Sequence, residues 1–218
     1  MKYFIDAQLR DQQSGFHKDR SCTDQIATLR NIVEQLIEWN SPLYINFIDY
    51  KNAFDRVDRT TLRRLLRHHG MPQKIVNIIR NSYDRLNCSI VHGGHLTDSF
   101  EVKTGVRQGC LLSTFLFLLV IDCIMKISTC GRKHGLQWIA RIHLDDLDFA
   151  NDLALLLHTQ RQMQKTTSVA TASAAVGLNT HKGKSKILRY NTTCTNRITL
   201  DVEALGDIEP FTYLGSII

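Results

Sequence analysis

The sequence predicts an α+β fold in a single domain, with a mostly antiparallel sheet backed by helices. Three observations predict it. Helix-period and strand-period segments mix along the chain without the strict alternation that a parallel sheet with crossover helices requires. Two segments read as tight hairpins, one around Gly93-Gly94 and one around Asn151-Asp152. The composition is that of a packed chain: 218 residues, 43% hydrophobic, 22% charged, 12 Gly and 3 Pro, which leaves out disordered, collagen-like and mini-protein classes.

Each element has its own signal. Ser21 can cap a helix, with Asp24 three residues on, and Ile26, Leu29, Ile32, Val33, Leu36 and Ile37 share one face, up to a stop near Asn40 before Pro42. Leu43 to Asp49 alternates Leu43, Ile45 and Phe47 against Tyr44, Asn46 and Ile48, a strand ending at an aspartate. Arg56 to His69 reads as a helix with Leu62, Leu65 and Leu66 inward, stopped by Gly70 and Pro72. Ile75, Val76, Ile78 and Ile79 carry another from Pro72 to Tyr83. Ser89 to Lys103 is a hairpin, Cys110 to Met125 a buried apolar helix, and Gly131 to Gly135 a loop. Ile142 to His158 reads strand, tight turn, strand, with Asn151-Asp152 at the tip. An Ala/Thr-rich helix from Gln160 to Val176 stops at Gly177, and short strands follow at Ser185 to Leu188, Ile198 to Leu200 and Phe211 to Ile218.

Twenty-seven Lys+Arg against 21 Asp+Glu give a net charge of +6, which suits a polyanionic partner. Arg56, Arg59, Arg63 and Arg67 form a basic stripe opposite the leucines, read equally as a phosphate contact or a solvated face. The six cysteines are scattered singly, without zinc-site spacing, and His68-His69 and His92 with His95 lack a third ligand. Unpaired thiols, no secretory signal and an apolar run shorter than the roughly 20 residues a bilayer needs lead to an intracellular chain with no membrane partner as the expectation. The oligomeric state is left open.

Asp49 ends one strand and Asp152 stands at a hairpin turn about a hundred residues later. Sheet pairing can bring the two together. Carboxylates that meet repel unless a cation intervenes, and hard oxygen ligands select Mg²⁺ or Mn²⁺. Two such ions about 4 Å apart serve phosphoryl or nucleotidyl transfer. Taken alone, an aspartate at a strand end is usually a solvated turn residue.

A series of blocks in fixed order adds the specific signal. Gln13-Ser14-Gly15-Phe16-His17-Lys18-Asp19-Arg20-Ser21-Cys22 resembles the finger-region motif of reverse transcriptases from non-LTR (LINE-like) retrotransposons. Tyr44 to Asp49 with Ala53-Phe54-Asp55 is similar to that family's first palm motif. Thr104-Gly105-Val106-Arg107-Gln108-Gly109-Cys110-Leu111-Leu112-Ser113 resembles its template- and nucleotide-supporting motif, and Phe149-Ala150-Asn151-Asp152 stands in the place of its paired aspartates. Gly177-Leu178-Asn179 with Lys182, Lys184 and Lys186 resembles its lysine-bearing motif, and Tyr213-Leu214-Gly215 its primer-grip region.

The resemblance implies a right-hand palm with partial fingers: residues 1–42 and 60–105 as finger or finger-palm elements, 43–59 and 106–218 as palm, and no thumb or endonuclease. It implies Asp49 and Asp152 as ligands of two Mg²⁺ (or Mn²⁺) ions and Phe54 as the ring that excludes a ribose 2′-hydroxyl. Arg107, Gln108 and Gly109 would support the nucleotide, Lys184 or Lys186 would face the leaving pyrophosphate, and Arg20, Tyr213, Leu214 and Gly215 would contact primer and template. The implied partners are an RNA template, a DNA primer and deoxynucleoside triphosphates.

The chain departs from the family pattern at Asn151, where the first aspartate of the pair is usual. An amide keeps the shape, removes a charge and presents an NH₂ where a cation wants an anionic oxygen. Loss of even a neutral transition-state donor costs on the order of 3 to 4 kcal/mol in other enzymes, so activity is expected to fall roughly a thousandfold or more on that scale. Asp146 and Asp148 share strand parity with Asp152, and Asp145, which shares parity with Asn151, lies about 20 Å away along an extended strand at about 3.3 Å per residue, so none is expected to fill the gap. Asp19 replaces a usual Gly, Asn52 a Lys and Thr114 a Pro. The expectation is an impaired RNA-directed DNA polymerase; the alternative is a non-catalytic nucleic-acid-binding remnant of a mobile element. A metal-dependent phosphoesterase ranks last, because no His or further Glu is placed to activate water.

Overall fold

A computed structural model describes residues 9–17, 19–129, 136–139, 142–159, 162, 167–181, 183–192, 199–200, 203–207 and 212–218. The expected loop at Gly131 to Gly135 lies outside them, as do Lys182, Ile198 and Phe211. Helix α1 (Cys22–Glu38) opens on the anticipated capping box: the Ser21 hydroxyl accepts from the Asp24 N–H, and the Asp24 carboxylate accepts from the Ser21 N–H. Strand β1 (Leu43–Ile48) and β2 (Tyr50–Lys51) follow. The helix expected from Arg56 divides into α2 (Ala53–Arg56) and α3 (Arg59–His68), because Asp58 turns out of the helix and accepts from the Thr61 N–H at 2.6 Å to cap the second piece.

Helix α4 (Gln73–Tyr83) leads to two nested antiparallel ladders, β3 (Asn87–Cys88) with β6 (Phe100–Glu101) and, inside them, β4 (Val91–His92) with β5 (His95–Leu96). Gly93 and Gly94, both at positive φ, make the turn. Helix α5 (Leu111–Thr129) runs further than the apolar stretch in sequence. By length and composition Leu111–Ser128 could cross a membrane. In this fold Phe115, Leu116, Phe117, Leu119, Val120, Ile121, Ile124 and Met125 are buried in the main core.

The segment read as one strand from Ile142 is two. Strands β7 (Leu136–Ile139) and β8 (Ile142–Leu144) pair with each other, and β9 (Asp146–Phe149) starts after Asp145, whose carbonyl accepts from the Leu156 N–H. Strand β10 (Asp152–Leu157), helix α6 (Thr167–Ala175), β11 (Asn179–Thr180), β12 (Lys186–Tyr190), β13 (Thr199–Leu200), β14 (Glu203–Ala204), β15 (Gly206–Asp207), β16 (Thr212–Tyr213) and β17 (Ser216–Ile217) complete the chain.

The main sheet has the order β15-β12-β1-β10-β9, antiparallel except for the β12–β15 pair. Strand β1 is central and buried on both faces, so its two alternating sets face two cores rather than core and water. Leu43, Ile45 and Phe47 meet Leu29, Ile32, Val33 and Leu36 of α1. On the other face Ile48, Leu153 and Leu155 join α5 and α6. Burial of this apolar surface at roughly 25 cal/mol per Å² is the main force that holds strand ends from distant parts of the chain side by side.

Candidate active site

Strands β1 and β10 finish together. Ile48 pairs with Leu153, and one step beyond that last pair stand Asp49 on one chain segment and Asp152 on the other. Both residues line one pocket with Phe47, Lys184, Tyr213 and Leu214. Burial, and then the neighbouring Asp49, push the Asp152 carboxyl above the usual carboxylate range, while Lys184 pulls it back. The Lys184 ammonium stands 3.4 Å from Asp49 Oδ2.

Lys184 reaches that place through backbone. β11 pairs with β2, the His181 N–H donates to the Asp49 carbonyl at 2.7 Å, and the Lys184 N–H donates to the His181 carbonyl at 2.9 Å. Lys186 lies elsewhere: it pairs with Gly206, against which its ammonium rests. Of the two lysines left open by sequence, Lys184 is the one beside the carboxylates.

The turn between β9 and β10 holds Ala150 and Asn151, and Ala150 adopts φ +58°, a region that disfavours an L-residue. Because the turn has two residues, Phe149 pairs with Asp152 and shares its face. Asp146 and Asp148 pair with Leu155 and Leu153 on the opposite face, so numerical parity with Asp152 does not place them beside it: the turn reverses the count. Both are fully buried against Arg10. The guanidinium donates to Asp146 at 2.7 Å and to Asp148, and the Arg10 N–H donates to Asp122 at 3.0 Å. Lys126 pairs with Asp122 at 2.7 Å. Burial and the nearby Asp146 hold the Asp148 carboxyl well above its usual range despite Arg10. The sequence signal for this cluster was present: three acids inside apolar stretches need a cation.

The family description "Reverse transcriptase (RNA-dependent DNA polymerase)" matches residues 1–218. The chain belongs to the reverse transcriptase family. It is 28% identical over 155 residues to the "Retrovirus-related Pol polyprotein from type-2 retrotransposable element R2DM" of Drosophila melanogaster, covering 70% of this chain and 14% of that protein. It is 29% identical over 197 residues to a type-1 R2 Pol polyprotein of Nasonia vitripennis (80% of this chain, 18% of that one). It is 24% identical over 181 residues to the "Transposon TX1 uncharacterized 149 kDa protein" of Xenopus laevis (80% and 14%). These relatives bear out the non-LTR type of reverse transcriptase domain, and the chain spans under a fifth of the length of each of the three. Among solved structures, telomerase from Candida tropicalis in complex with a TWJ fragment of telomeric RNA superposes with a TM-score of 0.66 at 13% identity, over 91% of this chain and 34% of that one. Its apo form truncated from the C-terminal domain gives 0.63 at 17%, over 94% and 42%. At such identity the likeness shows the shared palm-like fold.

The other motif residues of this reverse transcriptase domain fall as follows. The Phe54 ring stacks on Phe117 at 4.4 Å and is partly buried, so it serves core packing whatever else it does. Arg107 is exposed, donates to the Ser82 carbonyl at 3.0 Å and lies over the Tyr83 ring, while Gln108 and Gly109 are exposed at the entry to α5. Tyr213 is buried against Phe47, and burial pushes its phenol up. Leu214 and Gly215, both at positive φ, form the β16–β17 turn. Arg20 donates to the Gln13 carbonyl at 3.0 Å and to that of Asp11, an internal role sequence reasoning did not foresee. Arg59, Arg63 and Arg67 of the basic stripe are likewise engaged within the molecule. Arg59 donates to the carbonyls of Gly105, Tyr83, Val102 and Thr104, Arg63 approaches Asp84 at 3.8 Å, and Arg67 reaches Gln73. Asp19 sits at φ +65°, where a glycine carries no Cβ penalty.

Among the described residues no group of three or more His, Cys, Asp or Glu side chains is placed to share a metal ion. The pair Asp49 and Asp152 still fits a divalent ion. An Asp152 carboxylate disfavoured by burial and by the neighbouring Asp49, with Lys184 to offset it, gains from a harder cation.

Proposed function

We propose that this domain catalyses RNA-directed DNA synthesis, the addition of deoxynucleotides to a primer 3′-hydroxyl on an RNA template, at a rate depressed by Asn151. The observation that carries the proposal is the adjacency of Asp49 and Asp152 at neighbouring strand ends, with Lys184 at 3.4 Å, in a chain of this family. Mg²⁺ or Mn²⁺ held by Asp49 and Asp152 would supply Lewis-acid activation and charge neutralisation. The primer 3′-oxygen forms a bond to the α-phosphorus, the bond to the β-phosphate breaks, and the hydroxyl proton passes to solvent. Lys184 offsets charge on the departing pyrophosphate. Phe54, Arg107, Gln108 and Gly109 flank the nucleotide; Arg20, Tyr213, Leu214 and Gly215 lie toward primer and template; residues 43–59 and 106–218 make the palm. A second divalent ion would have one carboxylate fewer to hold it, because Asn151 brings an amide.

That same amide favours a second reading, a nucleic-acid-binding domain without turnover. Primer extension on an RNA template with Mg²⁺ or Mn²⁺ separates the two. Asn151→Asp is expected to raise extension by on the order of 10² to 10³, the scale of one lost electrostatic group. No extension from either protein, with RNA binding intact, rejects catalysis in favour of the second reading.

A further inference from the structure

Gln13 is fully buried, yet it neither touches the carboxylates nor lines their pocket. Its side-chain oxygen accepts two N–H groups, that of Ala150 at 2.9 Å and that of Gly15 at 2.8 Å, and its amide nitrogen reaches the Ala150 carbonyl at 3.4 Å. One side chain thus holds both polar backbone groups of the residue that adopts φ +58° in the turn before Asn151 and Asp152.

The surrounding backbone reinforces the grip. Gln13 bridges to Asp148 in parallel, the Ser14 N–H donates to the Asp148 carbonyl at 2.9 Å, and the Asp148 N–H donates to the Gln12 carbonyl at 3.3 Å. Gly15 lies so close that a Cβ there would meet the Ala150 nitrogen at 2.3 Å, so only glycine lets the segment approach. Arg20 and Gln25 hold the same segment from behind, through the Gln13 and Gln12 carbonyls and the Ser14 hydroxyl at 2.6 Å.

A two-residue turn with an L-residue at positive φ has lower-energy alternatives, and an unclamped turn relaxes toward them. The carboxylate of Asp152 begins immediately after that turn, and its match to Asp49 depends on where β10 starts. We propose that Gln13 is a positioning residue: its amide clamps Ala150 so that Asp152 stays opposite Asp49 in ion-binding geometry. The proposal rests on the two-carboxylate reading above and adds a residue outside the site to it.

The test uses the full chain as it stands, with Mn²⁺ alone as probe. Gln13→Met removes the amide while keeping the volume, and Gly15→Ala pushes on the same contact from the other side. Asp58→Ala, which removes the α3 cap far from the turn, supplies a comparison of reduced stability. Electron paramagnetic resonance measures Mn²⁺ affinity, and amide hydrogen exchange measures opening at Ala150. Gln13→Met is expected to weaken Mn²⁺ at least fivefold and to speed Ala150 exchange at least tenfold, while Asp58→Ala, at a similar loss of melting temperature, changes neither. If Gln13→Met does not fold, Gly15→Ala is read by the same two measurements. An Ala150 amide that exchanges no faster overturns the proposal, and so does Mn²⁺ affinity that tracks melting temperature alike in both variants. A parent chain that binds no Mn²⁺ overturns the two-carboxylate reading instead, and leaves the exchange rate to decide whether Gln13 clamps the turn.

Discussion

Asp148 shows how one buried side chain ties stability to pH. Burial and then Asp146 hold its carboxyl well above the usual range, with Arg10 opposing. The folded chain therefore keeps a proton that the unfolded chain releases near pH 4, where an ordinary aspartate titrates. With more protons bound in the folded state, unfolding free energy falls as pH rises from about 4 toward the folded-state value. Asp148→Asn removes that group from the balance, so denaturant titrations carried upward from about pH 4 are expected to show a shallower fall than in the parent. An equal or steeper fall would place the linked proton on another residue. The cluster lies behind the turn rather than in the pocket, so its proton bears on the framework that carries Asp152 more than on Asp152 itself.

The site depends on how short elements meet, and Gly177 shows it. This residue ends α6 at φ +86°, and a Cβ there would stand 2.7 Å from the Arg56 carbonyl and 3.2 Å from the Asp58 nitrogen. The Asp58 N–H donates to the Val176 carbonyl at 3.1 Å, which locks the end of α6 to the start of α3. Two residues after Gly177, β11 begins and pairs with β2, next to Asp49, and the following turn delivers Lys184. Gly177→Ala is therefore expected to cost about 2 kcal/mol or more, from both strain and collision, as a lower denaturation midpoint at unchanged slope. Gly93→Ala, also at positive φ but with open space around it, should cost less.

At the scale of the whole molecule the net charge of +6 favours nucleic acid. Much of the arginine stripe on α3 nevertheless serves the fold: Arg59 holds four carbonyls, and Arg63 and Arg67 have internal partners. Few of those charges are left to displace counterions. RNA binding by this chain, followed by fluorescence anisotropy, is expected to weaken by only about tenfold between 50 and 200 mM salt, the effect of about two phosphate contacts on a single strand. A loss of a thousandfold would show that the stripe releases its internal partners to bind RNA.

Much of this was legible in the chain before it folded. The alternation around β1, the Ser21 cap, the Gly93-Gly94 turn and the apolar run of α5 are local patterns, and local patterns set local structure. The motif order gave the family, and with it Asp49 and Asp152 as partners and Asn151 as the departure. Other features depend on residues distant in sequence meeting across an element, which no local period records. The turn of two residues reversed the faces of Asp146 and Asp148, a backbone pairing set Lys184 rather than Lys186 beside the carboxylates, and carbonyls from two segments claimed Arg59. Sequence by itself determined most of the elements and the family to which they belong. Only tertiary packing decided which charges face the pocket and which are buried in the framework, because burial and pairing follow from the register of neighbouring strands and not from position along the chain.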